Sequence, residues 1–152
     1  MVPDSNLVER GVLIITGSRL RAEQADRPLA YRLQDAISQR GDGENRFVKN
    51  DNVLVISDLW YLNSEPLQKI PAISLGGPGI NAASANFFDK LEHVLVVDHQ
   101  FQIQMELNGQ GQRACVWGQT HELTVNALDV FIENGFLDRF LVSVNDRLKH
   151  YK

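Results

Sequence analysis

The sequence predicts an α/β fold: one three-layer domain around a mostly parallel sheet, with one antiparallel hairpin. Three observations predict it. Short apolar, β-branched runs alternate along the chain with stretches whose apolar residues fall at helical spacing. Three runs end in glycine- or hydroxyl-bearing turns, at Gly17-Ser18, Gly76 to Gly79 and Gly118 to Thr120. One run instead alternates apolar and polar residues and leads into Asn108-Gly109-Gln110-Gly111, which is hairpin chemistry.

Taken in order, Met1 to Arg10 is a polar lead-in, and Gly11 to Thr16 is continuous and apolar, as a central strand covered on both faces must be. Arg19 to Asp26 is a polar stretch, and Asp26 suits an N-cap before Pro28. Leu29, Leu33, Ala36 and Ile37 then share one helix face, and Gly41 to Asn52 reads as an exposed loop. Val53 to Ser57 is a second strand, ended by Asp58. Leu59 to Pro71 has room for one helical turn, because Pro66 and Pro71 argue against more. Ala72 to Leu75 is a third strand; after its glycine turn Asn81 caps a helix that would bury Ile80, Ala83 or Ser84, Phe87, Phe88 and Leu91.

His93 to Asp98 is a fourth strand. Phe101, Ile103, Met105 and Leu107 alternate with Gln102, Gln104, Glu106 and Asn108, giving a fifth with one wet face. Arg113 to Trp117 is its partner across the turn. Thr120 caps a helix facing inward with Thr124, Ala127, Leu128 and Phe131, and Asn134-Gly135 stops it. Phe136, Leu137, Phe140, Leu141, Val144 and Leu148 mark a last amphipathic helix.

The 152 residues suit a single domain, and 43% apolar with 22% charged composition excludes a disordered chain. A net charge of −4 argues against a nucleic-acid partner. No apolar run is long enough for a membrane span, and the amino end lacks a signal-peptide pattern, so a cytoplasmic location is expected. Cys115 is alone and sits in a strand, where a packed thiol is expected rather than a nucleophile. The four histidines have no metal-site spacing, so no metal is expected, and no residue pattern names a cofactor. No strict dinucleotide fingerprint, P-loop or nucleophile elbow is present. Asp98 and His99 are adjacent in extended chain and point apart, so they are not a dyad.

If their strands are parallel, the three glycine or hydroxyl junctions share one edge of the sheet. In such sheets ligands bind outside the carboxyl ends of the strands. The expected ligand-binding residues are Ser18 and Arg19, then Gly76, Gly77, Gly79 and Asn81 as a backbone cradle, then Thr120. Trp60 and Tyr61 would either stack on a ring or fold back over the edge.

Gly76-Gly77-Pro78 with Asn81, followed by Gly118 with Thr124 and Ala127, resembles the Rossmann-like segments of archaeal surface-layer proteins, with their GGPxxN motif. That resemblance implies a Rossmann-like fold and an assembly or scaffold role. Gly76 to Ala83 also resembles the GGGPGIMEAAN motif of lysine-decarboxylase-like phosphoribohydrolases that release cytokinin from its nucleotide. This likeness implies a catalytic glutamate near Glu122. Gly17-Ser18-Arg19 is similar to the phosphate turn of flavodoxin-like reductases.

The leading expectation is a module binding a nucleotide-like or phosphorylated small molecule. The alternative is an interaction or structural domain without a small ligand, in which the hairpin edge serves subunit pairing in a homo-oligomer. The third is an enzyme: a nucleotide hydrolase using Glu122, or a flavin reductase.

Overall fold

The computed structural model describes residues 11–40, 52–108 and 112–149, with side chains up to 146. The lead-in, nearly all of the 41–52 loop, the tip of the 108–111 turn and the Leu148 side chain lie outside the described residues. The strands are β1 (Val12–Thr16), β2 (Val53–Ser57), β3 (Ala72–Leu75), β4 (Glu92–Val97), β5 (Phe101–Glu106) and β6 (Arg113–Gly118). The helices are α1 (Leu20–Ala25), α2 (Arg27–Gln39), α3 (Asp58–Leu62), α4 (Glu65–Gln68), α5 (Ala82–Phe88), α6 (His121–Glu133) and α7 (Phe136–Lys149).

The six strands form one open sheet in the order β2-β1-β3-β6-β5-β4. β2, β1, β3 and β6 are parallel neighbours, whereas β5 runs antiparallel to both β6 and β4. The expected hairpin of β5 and β6 is therefore joined by a second one. His99, with φ of 58°, turns β4 directly into β5, and β4 is a half-exposed edge strand.

β1 is flanked by β2 and β3, and all of its residues are apolar or β-branched and buried, as a strand covered on both faces requires. Its alternate residues feed two cores. Val12 and Ile14 join Leu33, Leu128, Phe131 and Phe140 on the face covered by α2, α6 and α7. Leu13 and Ile15 join Tyr61, Leu67, Ala83 and Phe87 on the face covered by α3, α4 and α5. Each buried Val, Leu, Ile or Phe among these contributes about 1.5–3 kcal/mol.

Several expectations change at this level. The polar stretch before Asp26 is helix α1; its Leu, Arg, Ala, Glu and Gln residues are good helix formers. The Leu59 to Pro71 stretch holds two short helices, each starting from a serine cap, Ser57 or Ser64. Ala83 and Ser84 are both buried, and Ser84 pairs with Ser74 at 2.8 Å between hydroxyls. Ile80 and Phe88, expected inside, are 40% and 38% exposed because they flank a helix too short to cover them. Gln104, placed on a wet face by its alternation, is fully buried. Its amide donates to the Phe88 and Leu91 carbonyls at 2.9 and 3.1 Å, so it closes the carboxyl end of α5.

The carboxyl edge is tied together by Asn81, which is 1% exposed. Its Nδ2 donates to the Ile15 and Leu75 carbonyls at 3.1 and 2.8 Å, and its Oδ1 accepts from the Ala83 and Ser84 amides. One side chain thus joins the ends of β1 and β3 to the start of α5. Asn81→Ala is expected to destabilise the protein by about 3 kcal/mol, read as a lower urea midpoint at unchanged m-value. Asn81→Asp keeps the acceptor and loses both donors, so the same titration should show a comparable loss. A loss confined to the alanine variant would reduce Asn81 to a helix cap.

Candidate functional site

β1 passes the chain to the α2 face and β3 passes it to the α5 face. Their following segments diverge, and a crevice is left at the carboxyl edge, where open α/β sheets bind ligands. A cleft of ≈ 600 Å³ lies there. Its walls come from α1, the 77–80 loop after β3, and the end of β6 with the start of α6.

Two groups in this cleft stand out. Asp26 sits between α1 and α2, where a cap was expected, yet its side chain makes no capping bond. Its backbone is already helical (φ −94°, ψ −24°), so the carboxylate cannot fold back onto the next amides and turns into the cleft instead. There Oδ1 lies 3.4 Å from His121 Nδ1. Oδ2 is buried without a hydrogen-bond partner. Burial pushes the Asp26 carboxyl up from its ordinary 3.8, and the His121 contact offsets this in part. His121 is the first residue of α6, and its side chain is 47% exposed. Trp117 supplies an aromatic wall, and its buried Nε1 likewise has no partner.

The residues expected at the site are distributed as follows. Gly77, Gly79 and Thr120 line the cleft. Thr120 Oγ1 caps α6 by accepting from the Leu123 amide at 3.2 Å. Gly76 does not line it. With φ of 98° it needs glycine, and a Cβ there would lie 2.8 Å from Asp26 Oδ2. Asn81 is wholly engaged by the backbone bonds described above. Ser18 donates to Asp58, whose other oxygen accepts from the Ala82 amide at 2.7 Å, so this pair serves the start of α5. Arg19 is exposed outside the cleft, and Arg21 borders it in its place. Glu122 is exposed and is not among the lining residues. Tyr61 folds inward and meets Phe87 edge-on at 5.9 Å, whereas Trp60 stays exposed. Cys115 is buried, and desolvation pushes its thiol up to about 12, which keeps it inert at neutral pH.

Sequence reasoning passed over Asp26, His121 and Trp117 as site residues. The available signal was positional: Asp26 and His121 each begin a helix after a strand ending on the shared edge. No family model matches this chain, and no curated protein matches it.

Asp26 makes a prediction about pH. Its carboxyl is raised in the fold, so its contribution to stability is greatest below the unfolded value and is lost as pH rises through the folded one. Asp26→Asn removes that loss. The variant should melt higher than the parent at neutral pH, and the gap should close below about pH 4. Thermal denaturation across pH 3–8 checks this; a parent more stable than the variant at neutral pH would contradict it.

Proposed function

We propose that this chain is a Rossmann-like, three-layer α/β domain that binds a nucleotide-like or phosphorylated small molecule in the cleft at its carboxyl edge. The observation that carries this reading is the cleft itself: ≈ 600 Å³, with Trp117, Ile80 and Pro78 as apolar walls and Arg21, Asp26, Thr120 and His121 among its polar groups. Small-molecule sites have this size and make-up, with apolar walls and a handful of placed polar groups. Its position outside β3 and β6 agrees with the general rule for open α/β sheets. The buried, partnerless Asp26 oxygen and Trp117 Nε1 are groups that the fold alone leaves at a cost, and such groups concentrate at functional sites.

A second reading is protein interaction, including pairing of two copies. It is favoured by β4, an edge strand whose Val96 is 58% exposed and whose His93 stacks edge-on with the exposed Phe88. No helix among the described residues is long and apolar enough to cross a membrane.

Thermal denaturation against nucleotides, flavins, sugar phosphates and phosphate tests the main reading. A ligand at 100 times its Kd stabilises by ~2.7 kcal/mol, a rise of roughly 5–10 °C for a domain of this size. Gly79→Trp is the matching variant. Gly79 is an exposed residue of the cleft's lining, and a Cβ there meets nothing within 4 Å, so a large side chain is accommodated at the rim of the cleft without a clash. The variant should keep the parent's unliganded melting temperature and lose the ligand-induced rise. A flat panel, together with a mass that doubles with concentration and reverts in Val96→Lys, would favour the interaction reading.

A further inference from the structure

The titratable groups lining the cleft are Arg21 from α1, Asp26 from the α1–α2 junction and His121 from α6; the 77–80 loop contributes none. Asp26 is nine-tenths buried and more, with a side chain only 2% exposed, and its Oδ2 is unpartnered. His121 faces it through Nδ1. The other ring nitrogen, Nε2, has no hydrogen-bond partner among the described residues, and the half-exposed imidazole borders the cleft. The same residue opens a 13-residue helix whose Thr120 cap takes the Leu123 amide. The earlier amides of that first turn have no acceptor within the helix and present the positive end of its dipole.

We propose that the phosphate group of a phosphomonoester sits at the amino end of α6, and that the Asp26–His121 pair takes up one proton as it binds. This rests on the small-molecule reading of the cleft given above. With Asp26 ionised and His121 uncharged, the pair carries one negative charge. A phosphate dianion brought beside that charge is repelled. A proton added at Nε2 makes the pair neutral overall and turns Nε2 into a charge-assisted donor to a phosphate oxygen. The α6 dipole disfavours an imidazolium on its own, but an anion at the same helix end reverses that effect. Arg21 adds a guanidinium from α1. The glycine loop is not the phosphate cradle in this arrangement, since Asp26 fills the space over Gly76.

Isothermal titration of the full chain with AMP, ribose 5-phosphate and adenosine tests this. It is run at about pH 7.5–8.5, above the second phosphate ionisation near 6, in two buffers of different ionisation heat. AMP and ribose 5-phosphate should bind with uptake of roughly 0.5–1 proton, and their affinity should fall by up to about tenfold per pH unit. Adenosine should bind at least about tenfold more weakly, with no proton uptake, because it lacks the charge-assisted contact. His121→Gln should fold, melt somewhat below the parent because Asp26 loses the contact that offsets its burial, abolish the proton uptake and flatten the pH profile. Arg21→Gln should weaken binding and keep the uptake. Phosphate ligands that bind without proton exchange, or adenosine binding as tightly as AMP, would overturn the phosphate seat while leaving the cleft as a small-molecule site. Failure of all three probes to bind would overturn both.

Discussion

The Asn81 side chain is the constraint on which the carboxyl edge of this protein depends. Two parallel strands, β1 and β3, end side by side with carbonyls that no further strand can use. An asparagine has two donors for those carbonyls and one acceptor for a helix start, and all are taken at 1% exposure. No other side chain of that size offers the same set. With Asn81 fixed, the loop before it is fixed as well. The Ile80 carbonyl is pressed so close to Gly17 that a Cβ there would lie 1.9 Å from it. The Asp58 carboxylate, held by Ser18, adds its own bond to the Ala82 amide. One edge thereby becomes rigid on the α5 side and stays open on the α6 side, where the cleft lies.

Asn81 and Asp26 make an instructive contrast. Both are 1% exposed and both stand at the same sheet edge. Every polar atom of Asn81 is bonded, whereas Asp26 has one loose contact and one orphaned oxygen. Burial raises the cost of a charged group far more than that of an amide. A fold selected for stability alone would place the amide at both positions. The carboxylate stands where it faces a cleft and a histidine, and Trp117 Nε1 and Thr16 Oγ1 are orphaned at the same edge. Among the described residues, Thr16 Oγ1, Asp26 Oδ2 and Trp117 Nε1 gather at the carboxyl ends of β1 and β6 and in the segment after β1, whereas Gln112 Oε1 is unpartnered at the amino end of β6.

Much of the fold was legible in the sequence because its causes are local. Continuous apolar runs gave β1, β2 and β3, and the Ser/Thr/Asn positions before apolar periods marked the caps at Asn81 and Thr120. The failures share a different cause. Asp26 and His121 are 95 residues apart and meet only because β3 and β6 follow β1 in the sheet. Strand order is not written in any local period. Gln104 fails in the same way: its alternation is right for a wet face, but β5 lies beside β6, close enough for α5 to end on top of it. Asp26 was legible as a cap because Asp before Arg-Pro has cap chemistry, and α1 then supplied a helical backbone that cancelled it.

The glycines of the 76–79 turn show how a correct local signal can point to the wrong partner. A glycine with φ of 98° after a buried strand implies a close approach to the backbone. Read from sequence, the approaching group is an anion. In the structure it is a carboxylate of the same chain, since Asp26 Oδ2 would lie 2.8 Å from any Cβ at position 76. Gly76 and Asp26 are therefore one feature: the glycine exists where the acid needs room, and the acid occupies the space a cradled phosphate would need. Under the proposed phosphate seat, an anion would be left with the other glycine junction, where Gly118 brings β6 close against Leu123 and Thr124 and α6 begins at His121. The strand-end rule names the edge, and on this proposal one buried carboxylate decides which turn of that edge would receive negative charge.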